Sequence, residues 1–475
     1  MKVLNNIKIK SSKQMSALWI LKWDYSLEAI MPVVKELRKR GYEIHMVLTE
    51  YNDALLANLK EEGVKYYLQD ENALRNCGSR LFKLLQLTEW RACVKARRVM
   101  DSLYEKIQPD LIFSTGETRL FARPLIKRGN QKGVPTVDVG WSFSNPQEDY
   151  DQQRLDLVKR FGDDVVDTAF IFQFRPKTGK INRRRGAIGM IKRKIAARPK
   201  FARLCRHVLR ASHWPLHAIS GTNYRIKGRG MGRGEARVLT CLGPAFVDQF
   251  VSQGIPTNKL FVAGLPEHDI LFSLTPEVIA EHRRKICSRF SFDSNQLLVF
   301  WAPRASAEDG YQEDLVQAQE RAIADALLAQ NENLQIVCKL HPRTNLKRFS
   351  SWMPKSKRLA ITLEADKVEL LAACEVFVST YSTVVLSALA LDKEIFTYNV
   401  LRIPGGDVFK KRVGGVAHAC SIGEIAPNIK ALFSDPATKQ RLVSERALAR
   451  ETHMVFDGQV AHRIVELAES LSTKL

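Results

Sequence analysis

Short apolar runs of strand length alternate with amphipathic helical stretches twice along the chain, and this doubled rhythm constrains the fold more than any other feature. In the first half SALWIL, YEIHMVLTE, VKYYL, PDLIFSTG and VPTVDVG read as strands. Between them LEAIMPVVKELRKRG, DALLANLKEEG, KLLQLTEWRACVKARRVMDSLYEKI and LFARPLIKRGNQKG read as helices. Such a βαβ series predicts a parallel, doubly wound sheet over roughly residues 15 to 145. The rhythm restarts with RVLTCLG, KLFVAG, LLVFWAP, LQIVCKLHP, LAITLE, EVFVST and EIFTYN as strands. A length of 475 residues exceeds what one core usually supports, so two facing α/β domains with a cleft between them are expected. No GxGxxG follows the first strand, which argues against a nicotinamide site there.

Between the two series the composition changes abruptly. From Arg175 to Gly234 there are 18 Lys and Arg and no acid, so this stretch carries most of the net charge of +22. Ile188, Ile191 and Ile195 fall at helical spacing within it, as do Phe201, Leu204, Cys205, Val208 and Leu209, with Trp214 near the end. A solvated basic face, a nucleic-acid arm and a membrane-docking segment would all have this charge. No nucleic-acid-binding signature accompanies it, so no nucleic acid is expected as a partner. Apolar faces flanked by Arg and Lys favour an anionic membrane surface, engaged through Arg175 to Arg233.

The eight cysteines are scattered singly, without a CxxC pair or a Cys/His cluster at zinc-ligand spacing. They read as reduced thiols, several of them in apolar runs. With no run of 18 apolar residues and no signal-peptide pattern at the N-terminus, the expectation is a cytoplasmic protein, peripheral on the inner face of the membrane.

Ligands of doubly wound sheets bind at the carboxyl ends of the strands, which is where motifs are to be sought. LQIVCKL ends in His341-Pro342, where Pro342 stops the strand and fixes the backbone beside an imidazole able to donate to a phosphate. EVFVST leads through Tyr381-Ser382-Thr383 into the helical run VVLSALALDK, so hydroxyls and free amides gather at a helix start. The bland readings are an ordinary histidine and an ordinary Ser/Thr cap. Two phosphate-seeking elements on what read as successive strands favour the functional ones.

KLHPRTN and VSTYSTVVLSALALDKEIFTYN together resemble the HP and Ser/Thr motifs of bacterial polysialyltransferases, capsule Kdo transferases and CDP-glycerol glycerophosphotransferases, all GT-B proteins. VLTCLGPAFVDQFVSQGIPTNKLFVAGLPEHDIL is similar to the opening of their donor-binding domain, and to the corresponding part of UDP-N-acetylglucosamine 2-epimerases. The resemblance spans roughly residues 237 to 465, including FDGQVAHRI. It implies an α/β GT-B fold with two facing doubly wound Rossmann-like domains and a deep interdomain cleft. It makes His341 a ligand of the donor phosphate, beside Pro342, with Ser382 and Thr383 as its partners and Arg304 facing the same phosphates.

The implied activity is a metal-independent glycosyltransferase or glycerophosphotransferase. It would take a nucleotide-activated donor, CMP- or CDP-linked in preference to UDP-linked, to a surface polysaccharide or lipid-linked acceptor, with no further cofactor. A nucleotide-sugar epimerase and a non-enzymatic polyanion binder are the alternatives. Thr-Val-Val-Leu-Ser-Ala after Ser382 departs from the Gly-Gly pair and acidic residues of the epimerases. Glu308-Asp309-Gly310 mimics the sialyltransferase acidic motif but lies in the presumed donor domain, so it reads as a chance match.

The expected organisation is an acceptor-side domain over 1–170, a basic insertion over 171–234, a donor-binding domain over 235–440 and C-terminal helices over 441–475. A general base is then expected from the first domain, where Glu117, Asp24 and Asp138 stand at strand ends, in that order of preference.

Overall fold

The computed structural model describes residues 14–21, 26–49, 51, 53–71, 74, 88–140, 216, 218–222, 231–380, 382–403 and 406–472. Asp24, Tyr381 and nearly all of the basic segment lie outside them. Two parallel sheets organise the described chain. The first contains β1 (Ser16–Leu21), β2 (Glu43–Leu48), β3 (Lys65–Leu68), β4 (Leu111–Ser114), β5 (Thr136–Asp138), β6 (Val238–Cys241) and β7 (Leu260–Val262), in the order β3-β2-β1-β4-β5-β6-β7. The second contains β8 (Leu297–Ala302), β9 (Leu334–Lys339), β10 (Leu359–Thr362), β11 (Val376–Ser379), β12 (Glu394–Tyr398) and β13 (Ala417–Ala419), in the order β10-β9-β8-β11-β12-β13.

Strands covered by helices on both faces are apolar but for one terminal serine each in β1, β4 and β11, and all six residues of β1 and all four of β4 and β11 are buried. Local chemistry sets the helix ends. Thr275 caps Pro276–Phe290 through Val278 N–H, with Pro276 at the first helical position and Ser291 left-handed at the end. Asp366 and Asp435 accept from Glu369 and Thr438 amides at two further starts.

Sheet membership moves the expected domain boundary. RVLTCLG and KLFVAG, expected to open the donor domain at 235, are β6 and β7, paired through β5 to the first sheet by Val137↔Val238 and Leu239↔Leu260. Strand pattern identifies a strand without naming its neighbour, and here a parallel strand pairs across an interval of about a hundred residues. The C-terminal helix Val460–Ser470 likewise belongs to the first domain, where Val460, Ile464 and Val465 join the core of Trp19, Ile30 and Val34. Asp269 of the GLPEHD stretch accepts the Val460 and Ala461 amides at 3.0 and 2.8 Å, so it caps that helix. Glu267 spans the two domains, bonded to Lys367 Nζ and Ser387 Oγ at 2.8 Å each. Strand β13, beyond the last sequence-predicted strand, closes the second sheet's edge.

Candidate active site

Each sheet reverses strand order once, between β1 and β4 in the first and between β8 and β11 in the second. Ligands of such sheets enter the crevice beyond the carboxyl ends at the reversal. In the second sheet Trp301 of β8 pairs with Cys338 of β9, and Ala302 with Ser379 of β11. The loops carrying Arg304, His341 and Ser382-Thr383 therefore leave three adjacent strands at nearly one level. The His341 and Ser382 elements are not on neighbouring strands, as the sequence suggested. β8 lies between them, which puts Arg304 at the centre.

His341 is partly buried, and its Nδ1 accepts the Arg343 backbone N–H at 3.2 Å. An amide can only donate, so the neutral ring carries its proton on Nε2. Burial first, then the Arg343 charge, holds its pKa below the ordinary histidine value. A neutral imidazole with a fixed Nε2–H is a hydrogen-bond donor rather than a counter-charge.

Two acids hold the loops around it. Asp309 bonds Arg304 Nε at 2.9 Å and Arg343 at 2.6 Å, tying the loop after β8 to the loop after β9. Burial opposes its ionisation, but Arg343 and Arg304 keep its pKa below the usual carboxylate value. Glu308 accepts the Asn345 amide at 3.0 Å and pairs with Arg348. The acidic pair thus holds the loops after β8 and β9 together. Ser306, Thr344 and Thr380, one from each of the three loops, bury hydroxyls that have no partner among the described residues. Sequence reading passed over these three, because an ordinary Ser or Thr in a loop carries no pattern.

Ser382 Oγ accepts Val384 N–H at 3.2 Å at the start of helix Val384–Ala390, while the Thr383 side chain makes no capping bond. That helix has only seven residues, so its dipole is weak and the hydroxyls carry the polar character of this end.

The first sheet treats its acids differently. Glu117, expected as the base, has a side chain with no exposure and accepts from Gly234 N and Ala236 N at 2.8 and 2.9 Å. Lys259 Nζ meets both its oxygens, at 3.1 and 3.0 Å, and also donates to Gly232 O and Gly234 O. A Cβ at Gly234 would stand 2.8 Å from the Glu117 carboxyl, so only glycine permits this approach. Glu117 is a clamp that fastens residues 232–236 to the sheet, with both of its oxygens engaged by backbone amides and Lys259. A cavity of about 560 Å³ beside the clamp is lined by first-domain residues, including Lys127 and Arg233, and by none of the expected site residues.

Asp138 is also buried. Its Oδ1 accepts from Ser114 Oγ and from Glu117 N–H at 3.2 Å, and its Oδ2 has no partner among the described residues. Burial, then the nearby Glu117 charge, pushes its pKa up to about 7.

No protein-family model and no curated protein matches the chain. Solved structures do. The UDP-GlcNAc 2-epimerase from Neisseria meningitidis, bound to UDP-GlcNAc, is 13% identical at a TM-score of 0.56, over 96% of this chain and 100% of that one. The glycotransferase of kitacinnamycin is 14% identical at 0.57, over 96% and 99%. A variant of the wall teichoic acid polymerase TagF is 10% identical at 0.52, over 97% and 90%. At such identities the likeness is one of fold: the chain has the GT-B architecture of two Rossmann-like domains.

Proposed function

We propose that this protein transfers a sugar, or a sugar-like phosphate, from a nucleotide-activated donor to a glycan or lipid-linked acceptor. The observation that carries the reading is the gathering of the His341 Nε2–H, Arg304 and the Ser382-Thr383 hydroxyls beyond three adjacent strands at a sheet's reversal point. In this reading those donors stabilise the phosphate charge that grows on the leaving nucleotide, and so lower the barrier where charge develops. An acceptor hydroxyl attacks the donor carbon or phosphorus, the bond to the nucleotide oxygen breaks, and a carboxylate takes the hydroxyl proton.

Asp138 is the described carboxylate best suited to that last role, since its free Oδ2 and raised proton affinity match a base working near neutrality. Asp24, in the segment after β1, is the second candidate. A cytidine-linked donor is favoured by the resemblance of the HP and Ser/Thr motifs, whereas the Neisseria epimerase holds UDP-GlcNAc. An epimerase is therefore the second reading.

A thermal-shift screen with CMP, CDP, UDP, GDP and their activated sugars names the donor, because a ligand that binds only the native state raises the melting temperature. Nucleotide release that requires a glycan acceptor supports transfer. Interconversion of a nucleotide sugar without an acceptor would establish the epimerase instead. Residues 175–234, with 18 basic residues and no acid, are proposed to dock the enzyme on anionic membrane. No helix among the described residues is long and apolar enough to cross one. Co-sedimentation should require acidic lipid and weaken with salt, and equal binding to neutral vesicles would remove this part of the proposal.

A further inference from the structure

At the far edge of the second sheet, Asp407, His418 and Cys420 each place a potential ligand atom within 4.8 Å of the other two. Asp407 lies in the loop after β12, His418 on β13 and Cys420 just beyond it. Thr397 pairs with His418 in the ladder and sets its ring. Thr397 Oγ1 lies 2.7 Å from His418 Nδ1 and 3.3 Å from Ala417 O, so with the ring proton on Nδ1 it accepts from the ring while donating to that carbonyl. In that tautomer His418 Nε2 carries a lone pair, the form in which an imidazole ligates a metal. Its side chain is 1% exposed, and Asp407 Oδ1 lies 3.3 Å from Nε2 without forming a hydrogen bond. A cation between that nitrogen and Asp407 Oδ1 would be held by both.

The carboxylate is held in place as firmly as the ring. Asn399 Nδ2 donates to Asp407 Oδ1 at 2.7 Å and to Ile403 O at 2.9 Å, and its Oδ1 accepts Ile403 N–H at 2.6 Å. A Cβ at Gly406 would fall 2.5 to 2.7 Å from the Asn399 amide, so the loop closes around Asn399 only with glycine there. Cys420 is partly exposed and unpaired in any disulfide, and its N–H is held by Glu424 Oε2 at 2.8 Å.

We propose that Asp407, His418 and Cys420 form a zinc-binding site that fastens the loop after β12 to strand β13. One oxygen, one nitrogen and one sulfur ligand suit zinc, whereas magnesium and calcium take oxygen ligands. Zinc bonds of about 2.0–2.3 Å set tetrahedral ligand atoms roughly 3.3–3.8 Å apart, so the cluster has about 1 Å to close, within reach of a side-chain adjustment at Cys420. Thr397 and Asn399 act as the outer partners that orient the ligands. The fourth position is open to water. This site stands two strands from β11 and does not depend on the transferase reading.

The test uses the full chain, stripped with a chelator and titrated with Zn²⁺ against a chromophoric competitor, with Co²⁺ as a spectroscopic probe. Wild type should bind one equivalent more than Cys420→Ser or His418→Gln. Bound Co²⁺ should show a thiolate charge-transfer band that Cys420→Ser removes. Thr397→Val, which keeps the side-chain shape, should weaken binding by about 10- to 100-fold. Cys420→Ser alters one partly exposed atom, and an unchanged metal-free melting temperature shows that it folds. Equal zinc stoichiometry in wild type and Cys420→Ser, or a Co²⁺ spectrum that the variant leaves unaltered, overturns the proposal.

Discussion

At the carboxyl edge of the first sheet the fold consumes the acidic side chains, whereas at that of the second sheet acids are consumed to hold other groups in place. Glu117 gives both oxygens to backbone amides and Lys259, and the result is a closed clamp. Glu308 and Asp309 also pair fully, with Arg348, Arg304 and Arg343, but those pairs fix loops in which the hydroxyls of Ser306, Thr344 and Thr380 are buried without partners among the described residues. The difference teaches that a carboxylate at a strand end is not thereby a base. What matters is whether its lone pairs are already spent. By that criterion Asp138, with one oxygen unspent, resembles the second edge more than its own neighbour does.

The comparison breaks most visibly at the clamp. Removing one partner of a buried ion pair strands the other charge, so Glu117→Ala should cost about 3–5 kcal/mol in denaturant unfolding. A loss near zero would mean that Glu117 is not structural and would return it to the catalytic candidates. At the second edge the loss should fall on turnover, not on folding. His341→Ala, and Ser382→Ala with Thr383→Ala, should each lower the rate by about 10²- to 10³-fold while melting near wild type. Near-normal rates in either variant would detach the phosphate site from these residues.

The smallest effect sharpens the comparison through pH. Asp138 binds its proton more tightly folded, at about 7, than its ordinary value of 3.8, so the folded state holds more protons between those values. Its contribution is therefore neutral below about pH 4 and grows unfavourable as pH rises, reaching its full cost above about 7. Asp138→Asn should flatten that slope and be relatively more stable above neutrality, even as it loses turnover if Asp138 is the base. A variant with the wild-type slope would show that Asp138 does not hold its proton more tightly in the folded state and is not a base working near neutrality.

Continuous apolar runs and their spacing made the strands and most helices legible, because burial on both faces leaves no freedom in residue type along β1, β4 or β11. His341-Pro342 and Ser382-Thr383 were legible for a related reason: they directly follow such runs, and a parallel strand delivers its carboxyl end to one edge of the sheet. Partnership was not legible. Nothing in KLFVAG says that Lys259 will neutralise Glu117, 142 positions away in the chain, or that β6 and β7 join the first sheet. Nor does the distance from Asp407 to His418 and Cys420 resemble a metal-ligand spacing, since a loop returning along the sheet edge brings them together. Sequence determined which segments become strands and where the polar motifs sit along them. Tertiary structure decided which polar groups were spent on one another, because hydrogen bonds and ion pairs are settled by distance in space, which a pattern of residues fixes only within one element.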